Sequence, residues 1–182
     1  FHNTSTPGNI SFDARQDYTS NIMGFFRDIS CADFDGDGKP DIALGASGSY
    51  IVSVFRNTSS GSISFESPVG LSSFSPNAIL GSFCVRAIDM DGDTKPDIAF
   101  TYTGPYFSTM INTSTPGNIS FTPPLTDFAL PSASSARGMA VGDMNNDDKP
   151  DVIIADHFTD TISIFKNNSI NGTISFGTRI DI

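Results

Sequence analysis

Three acidic segments of nine residues hold most of the side chains in this chain that can do chemistry. They read D-F-D-G-D-G-K-P-D at Asp33 to Asp41, D-M-D-G-D-T-K-P-D at Asp89 to Asp97, and D-M-N-N-D-D-K-P-D at Asp143 to Asp151. Oxygen-bearing side chains stand at the first, third, fifth and ninth places. So many carboxylates on so short a loop repel one another unless a cation sits among them. Calcium takes six to eight hard oxygen ligands in a flexible shell, and this pattern supplies them. The expected ligands are Asp33, Asp35, Asp37, Lys39 and Asp41 in the first loop, with Lys39 giving its backbone carbonyl and turning its side chain to solvent. The second set is Asp89, Asp91, Asp93, Lys95 and Asp97, and the third is Asp143, Asn145, Asp147, Lys149 and Asp151. The expectation is one Ca²⁺ per loop, three in all.

The loops are not equal. Gly36 and Gly38 permit the positive φ of a tight turn. Thr94 replaces the second glycine in the second loop, and a β-branched residue resists that conformation. Asp148 at the same place in the third loop tolerates it better. On these grounds the first loop is expected to bind most tightly. An EF-hand is excluded, because it needs an acid at the twelfth place between helices. Here the twelfth residues are Leu44, Phe100 and Ile154.

Around the loops the pattern is all-β. Short runs precede each first Asp, and apolar runs follow each last one: Ile42-Ala-Leu, Ile98-Ala-Phe and Val152-Ile-Ile-Ala. A third run follows a turn: Tyr50 to Phe55, Tyr106 to Ile111, and Thr161 to Phe165. An alternating Ile-Ser-Phe is read as the fourth. No stretch keeps a 3.6-residue apolar period. A second landmark keeps the beat: N-T-S-T-P-G-N-I-S-F at Asn3 to Phe12 recurs letter for letter at Asn112 to Phe121, with looser copies from Asn57 and Asn167. A period near 55 residues suits propeller or solenoid units. The predicted fold is one all-β array over 1–182, made of β-propeller-type repeats. It has three four-stranded antiparallel blades at 27–65, 84–121 and 137–176, and a half-blade hairpin at 1–12 read as third and fourth strands. Three blades do not close a ring.

The net charge of -10 has a local source, since twelve of the 20 acidic residues lie in the loops. Three of the four lysines also belong to the loops, which argues against a nucleic-acid partner. No apolar run is long enough for a membrane helix, and no signal peptide is visible. The start at Phe1 suggests a mature or cropped product. Cys31 and Cys84 lack zinc spacing and fall on opposite faces of equivalent strands, so buried thiols are favoured over a disulfide.

Seven N-x-[ST] sequons, at Asn3, Asn9, Asn57, Asn112, Asn118, Asn167 and Asn171, fall on predicted surface turns. In a eukaryote several would carry glycans; in a bacterium the triplets are ordinary turn residues copied by the repeat. The connectors 13–26, 66–83 and 122–136 differ in sequence. Their aromatics Tyr18, Phe25, Phe26, Phe74 and Phe128 are read as packing between blades, with a ligand surface as the alternative. Catalysis is not expected. His2 and His157 are the only imidazoles, Glu66 is the only glutamate, and Asp156 and Asp160 flank a turn.

The D-x-D-G-D-G-K-P-D loop, its apolar strand and the V-F-R-N-T-S-S-G-S-I-S-F that follows resemble the VCBS/FG-GAP repeat family. These are the calcium-bearing blades of integrin α-like β-propellers, and the likeness runs from Asn3 to Phe176. It implies that the loop joins the first two strands of a blade, that its ion is structural, and that the protein is extracellular or on the cell surface. Such propellers usually have about seven blades, more than this chain holds. Either the chain is a segment of a longer repeat protein, or copies of it complete one another. The expected function is structural or adhesive, in a filament or a larger surface protein. The alternative is a carbohydrate-binding module using pockets between blades. Partners would be further repeats or copies, with glycans or surface proteins as ligands.

Overall fold

A computed structural model describes residues 1–18, 24–48, 52–72, 82–123, 126–131 and 136–182. The described residues form three four-stranded antiparallel sheets and no helix. The first sheet comprises β1 (Gly24–Ala32), β2 (Asp41–Gly48), β3 (Val52–Phe55) and β4 (Val69–Leu71). The second holds β5 (Ser82–Ile88), β6 (Asp97–Tyr102), β7 (Tyr106–Met110) and β8 (Asp127–Ala129). The third holds β9 (Ala136–Gly142), β10 (Asp151–Asp156), β11 (Ile162–Phe165) and β12 (Ile180–Asp181). Strands pair in chain order within each sheet, and the three sheets do not form a closed ring.

Each acidic loop joins the first two strands of its sheet, as expected. The pairs Ala32↔Asp41, Ile88↔Asp97 and Gly142↔Asp151 close the three hairpins in one register. All three first strands also carry an irregularity at the same place, where Arg27, Phe83 and Arg137 are skipped in the ladder. An extra residue of this kind bends and twists a strand.

The apolar core lies between sheets. Phe34, Val52, Val54, Val85, Ile98, Phe100, Tyr102 and Met110 are buried where the first sheet meets the second. Met90, Ala99, Phe107, Met139, Val152, Ile154 and Phe165 are buried where the second meets the third. Period-two alternation explains the split. Ile98, Phe100 and Tyr102 of β6 point one way, and Ala99 points the other. β6 is therefore buried on both faces, whereas Ile153 and Ala155 of β10 are not fully covered. Burying one large apolar side chain contributes about 2 kcal/mol. Each blade thus draws its stability from its neighbours, as repeat arrays do.

Between sheets, β1 packs against β5 and β5 against β9. Asp28 Oδ2 accepts from Val85 N at 3.0 Å and pairs with Arg86 Nη1 at 2.6 Å, joining β1 to β5. Cys84 stands at the place of Asp28 one repeat on. It is buried, whereas Cys31 is exposed, and both are free thiols. The expectation of two buried thiols is therefore corrected for Cys31, whose strand turns that side chain outward. Burial pushes the Cys84 thiol up.

The fourth strands differ from the expectation. They are the short β4, β8 and β12, which lie beyond each Ile-Ser-Phe. The Ile-Ser-Phe segments instead close small hairpins through isolated bridges, Asn57↔Phe65, Asn112↔Phe121 and Asn167↔Phe176. Residues 1–12 make the same unit, with Asn3↔Phe12 and Thr6↔Asn9, and so are not the third and fourth strands of a blade. Side chains hold these hairpins. Ser5, Ser59, Ser114 and Ser169 each donate a backbone N–H to the Oδ1 of the Asn two residues earlier, at 2.8–2.9 Å. Their hydroxyls accept from the backbone N–H of Ser11, Ser64, Ser120 and Ser175. The recurrence of Asn, Ser and the later Ser has a conformational cause.

Of the connector aromatics, Phe128 stacks on Phe107 and Tyr18 meets Phe65 edge-on, so both pack. Phe25 and Phe26 are exposed. Phe74 lies outside the described residues.

Candidate metal centres

The loops are shaped by their own aspartates before any ion is considered. In the first, Asp33 accepts from the N–H groups of Gly36 at 2.8 Å, Asp37 at 3.1 Å and Gly38 at 2.8 Å. Asp35 Oδ1 accepts from Asp37 N, and Asp37 Oδ1 from Lys39 N. The second loop repeats this with Asp89 accepting from Gly92 and Thr94, Asp91 from Asp93, and Asp93 from Lys95. In the third, Asp143 accepts from Asn145, Asp147 and Asp148, and Asp147 from Lys149. Two residues of each loop have positive φ: Gly36 and Gly38, Gly92 and Thr94, Asn146 and Asp148. Thr94 holds φ 75°, the conformation its branched side chain disfavours.

The ninth aspartate is a clamp. Asp41 accepts from Phe34 N at 2.9 Å and Asn57 N at 2.7 Å. Asp97 accepts from Met90 N at 3.0 Å and Asn112 N at 2.9 Å. Asp151 accepts from Met144 N at 3.0 Å and Asn167 N at 2.8 Å. All three are buried. Each ties its loop to the hairpin that follows the third strand. Burial pushes Asp97 up to about 6, although its two N–H bonds favour the charged form. Burial raises Asp41 in the same way.

In the first loop Asp33, Asp35 and Asp37 each offer an oxygen within 4.8 Å of the others. In the second loop Asp89, Asp91 and Asp97 do so. Calcium–oxygen distances of about 2.3–2.6 Å fit such spacing. The residues therefore fit a divalent cation in two loops. In the third, Asn145 turns its Nδ2 to Asp151 Oδ2 at 3.3 Å, and no comparable carboxylate cluster forms among the described residues. The Lys39 side chain, expected to face solvent, is 40% exposed. Lys95 Nζ donates to Ser114 O at 3.1 Å and Lys149 Nζ to Ser169 O at 2.6 Å, while Lys39 faces Asp37.

One column of residues was missed in the sequence. Immediately before the hairpin Asn stand Arg56, Ile111 and Lys166. Arg56 bonds Asp35 through Nε at 2.6 Å, reaches Asp37 at 3.4 Å and pairs with Glu66 at 2.9 Å. Lys166 pairs with Asp147 at 3.1 Å. Ile111 has no charge to offer. Burial raises Asp35, but bonds from Arg56, Gly117 N and Asp37 N outweigh it and hold the carboxyl low. Asp91 lacks the arginine, and burial pushes it up. Lys166 chiefly lowers Asp147. Asp143 is also lowered, its burial outweighed by the N–H bonds of its loop.

The sequons divide. Asn3, Asn9, Asn118 and Asn171 are exposed. Asn57, Asn112 and Asn167 are buried, which corrects their expected place on surface turns. Asn112 Nδ2 donates to Pro96 O and, across the blade boundary, to Phe34 O. Asn167 Nδ2 donates to Pro150 O and Met90 O, and Asn57 Nδ2 to Pro40 O. The atom that would carry a glycan is thus committed to the backbone. Outside the loops, Asp156 is buried and accepts from Phe158 N, Thr159 N and Thr159 Oγ1, so it shapes its turn. His157 and Asp160 are exposed, and His2 meets Asp13 at 3.0 Å.

Fold and loops together define an all-β repeat protein built of propeller-type blades, each turning on an acidic loop. Residues 33–100, from the first loop into β6, match the family model of the FG-GAP-like repeat, and this stretch carries that repeat. A search of curated proteins finds no match to the chain. No helix among the described residues is long and apolar enough to cross a membrane.

Proposed function

We propose that this chain is a non-catalytic stretch of an extracellular repeat array whose blades are stiffened by calcium, serving a structural or adhesive role. The carrying observation is an interface used twice and left open once. Phe34 and Met90, at the second place of the first two loops, are 1% and 2% exposed beneath the next blade, whereas Met144 is 61% exposed. A further repeat bearing an Asn-Thr-Ser-type hairpin, from the same chain or another copy, would cover Met144 as the second and third blades cover Phe34 and Met90. The N-terminal hairpin supplies such a unit, with Asn3 exposed. The loops would hold Ca²⁺ through Asp33, Asp35, Asp37 and Asp41, through Asp89, Asp91, Asp93 and Asp97, and more weakly through Asp143, Asn145, Asp147 and Asp151. The carbonyls of Lys39, Lys95 and Lys149 would complete the shells. The ion neutralises the clustered carboxylates and so favours the folded blade.

Thermal unfolding with calcium and with excess chelator tests this. Calcium is expected to raise the melting temperature, and an unchanged value would refute a structural ion. Electron microscopy tests the array. Extended particles that shorten when residues 1–12 are deleted support copy-to-copy assembly, and unchanged particles reject it.

A carbohydrate-binding role is the second reading. A cleft of about 650 Å³ between the second and third blades is lined by Asp89, Asp91, Asp147, Lys149 and Asn171, among others. That volume suits a small ligand. A glycan-array screen, repeated with Asn171→Ala, separates this reading from the first.

A further inference from the structure

The three loops differ most in whether the protein already supplies a cation. In the first, the Arg56 guanidinium lies 2.6 Å from Asp35 and 3.4 Å from Asp37. Asp35 Oδ2 also accepts from Gly117 N at 2.8 Å. In the third, Lys166 lies 3.1 Å from Asp147, and Asn145 Nδ2 donates to Asp151. In the second, no Lys or Arg among the described residues lies within 4 Å of a loop carboxylate, because Ile111 occupies the place of Arg56 and Lys166.

The consequence falls on one atom. Asp91 is 3% exposed, and its Oδ2 receives no close hydrogen bond, only a weak backbone contact from Gly172 reaching the carboxylate. Asp35 Oδ2, its counterpart, has two. A buried carboxylate oxygen so poorly satisfied is costly and calls for an explanation. The same side chain belongs to the group in which Asp89, Asp91 and Asp97 bring oxygens within 4.8 Å of one another. This group also borders the cleft between blades, which gives an ion a route in.

Resting on the calcium reading above, we propose that the second loop is the high-affinity divalent-cation site, and that Arg56 and Lys166 weaken the first and third by acting as tethered internal cations. This reverses the order expected from the loop sequences alone, in which the two glycines favoured the first loop. Those glycines make the turn easier to form, but they do not remove the positive charge of Arg56 from beside the ligands. A unit charge about 6 Å from a divalent ion lowers its affinity about tenfold even in water-like surroundings.

Calorimetric titration of the full chain with CaCl₂ tests the proposal, with circular dichroism checking that each variant folds. One site is expected to fill at least about tenfold more tightly than the rest. Asp91→Asn should abolish that site, and Ile111→Arg should weaken it about tenfold. Arg56→Ile should tighten a different site about tenfold. If Asp91→Asn proves poorly folded, the Ile111→Arg and Arg56→Ile pair decides alone. Three equal sites, or affinities that ignore both column variants, overturn the proposed order while leaving calcium binding intact. No calcium binding at any site overturns the calcium reading itself, and this proposal with it.

Discussion

Asn112 donates its Nδ2 to the carbonyl of Phe34, 78 residues earlier, at 2.9 Å. The same nitrogen bonds Pro96 O of its own blade at 2.9 Å. One amide thus holds two acidic loops in register, and Asn167 repeats the arrangement with Met90 and Pro150. Removing it leaves two backbone carbonyls without that donor. Asn112→Ala and Asn167→Ala are expected to destabilise the chain by about 2–4 kcal/mol each. Asn57→Ala, which breaks one Nδ2 bond within a single blade, should cost less. Urea unfolding of the three variants checks the order.

The same burial governs glycosylation. Expressed in a host that glycosylates N-x-[ST], the folded protein should carry glycans only among Asn3, Asn9, Asn118 and Asn171. Asn57, Asn112 and Asn167 should be unmodified, because their Nδ2 atoms lie against backbone carbonyls. Peptide mass spectrometry after secretion reads site occupancy directly. Folded protein carrying a glycan at Asn112 would contradict the latch.

Thr94 holds φ 75° where the first loop has Gly38 at 86°. Relief of that strain exceeds the entropy lost by adding a glycine, so Thr94→Gly should stabilise the chain by about 1 kcal/mol. A rise in melting temperature of about 2–4 °C would follow for a chain of this size. The reverse change, Gly38→Thr, should lower it by a similar amount.

Stability of the metal-free protein should depend on pH with a definite sign. Burial pushes Asp97 up to about 6 from 3.8. A carboxyl raised in the folded state favours folding when it is protonated. Its contribution is complete below the unfolded value and is lost as pH rises through about 6. A difference of this size corresponds to about 3 kcal/mol. Asp41 and Asp91 act in the same direction. Denaturant unfolding in calcium-free buffer should therefore show greater stability at pH 5 than at pH 7.5. Asp35, Asp143 and Asp147 are depressed and lose their contribution only at lower pH. Saturating calcium should reverse the trend, because the metal needs the carboxylates deprotonated.

The sequence by itself determined the local parts. The Asp spacing, the turn glycines and the flanking apolar runs located each hairpin of first and second strands, since Ala32 and Asp41 meet across only the loop between them. It did not locate β4, β8 and β12. Segments as short as Val69–Leu71 carry too little alternation to stand out from a connector. Nor did it distinguish the buried sequon asparagines from the exposed ones. Asn57 and Asn112 share the Asn-Thr-Ser triplet of Asn3, and Asn167 differs only in its middle residue, so only packing tells them apart.

Tertiary structure decided the rest, because it brings together groups that the chain keeps far apart. Arg56 reaches Asp35 over 21 residues, and Gly117 N reaches the same carboxylate over 82. Ile111 offers nothing equivalent to Asp91, whose buried Oδ2 receives no close hydrogen bond. Desolvation makes that difference matter. An exposed carboxylate finds water, but one enclosed between two blades has only what the neighbouring blade provides. The three loops thus announce a cation by their letters, and the residues packed over them decide which loop needs one most.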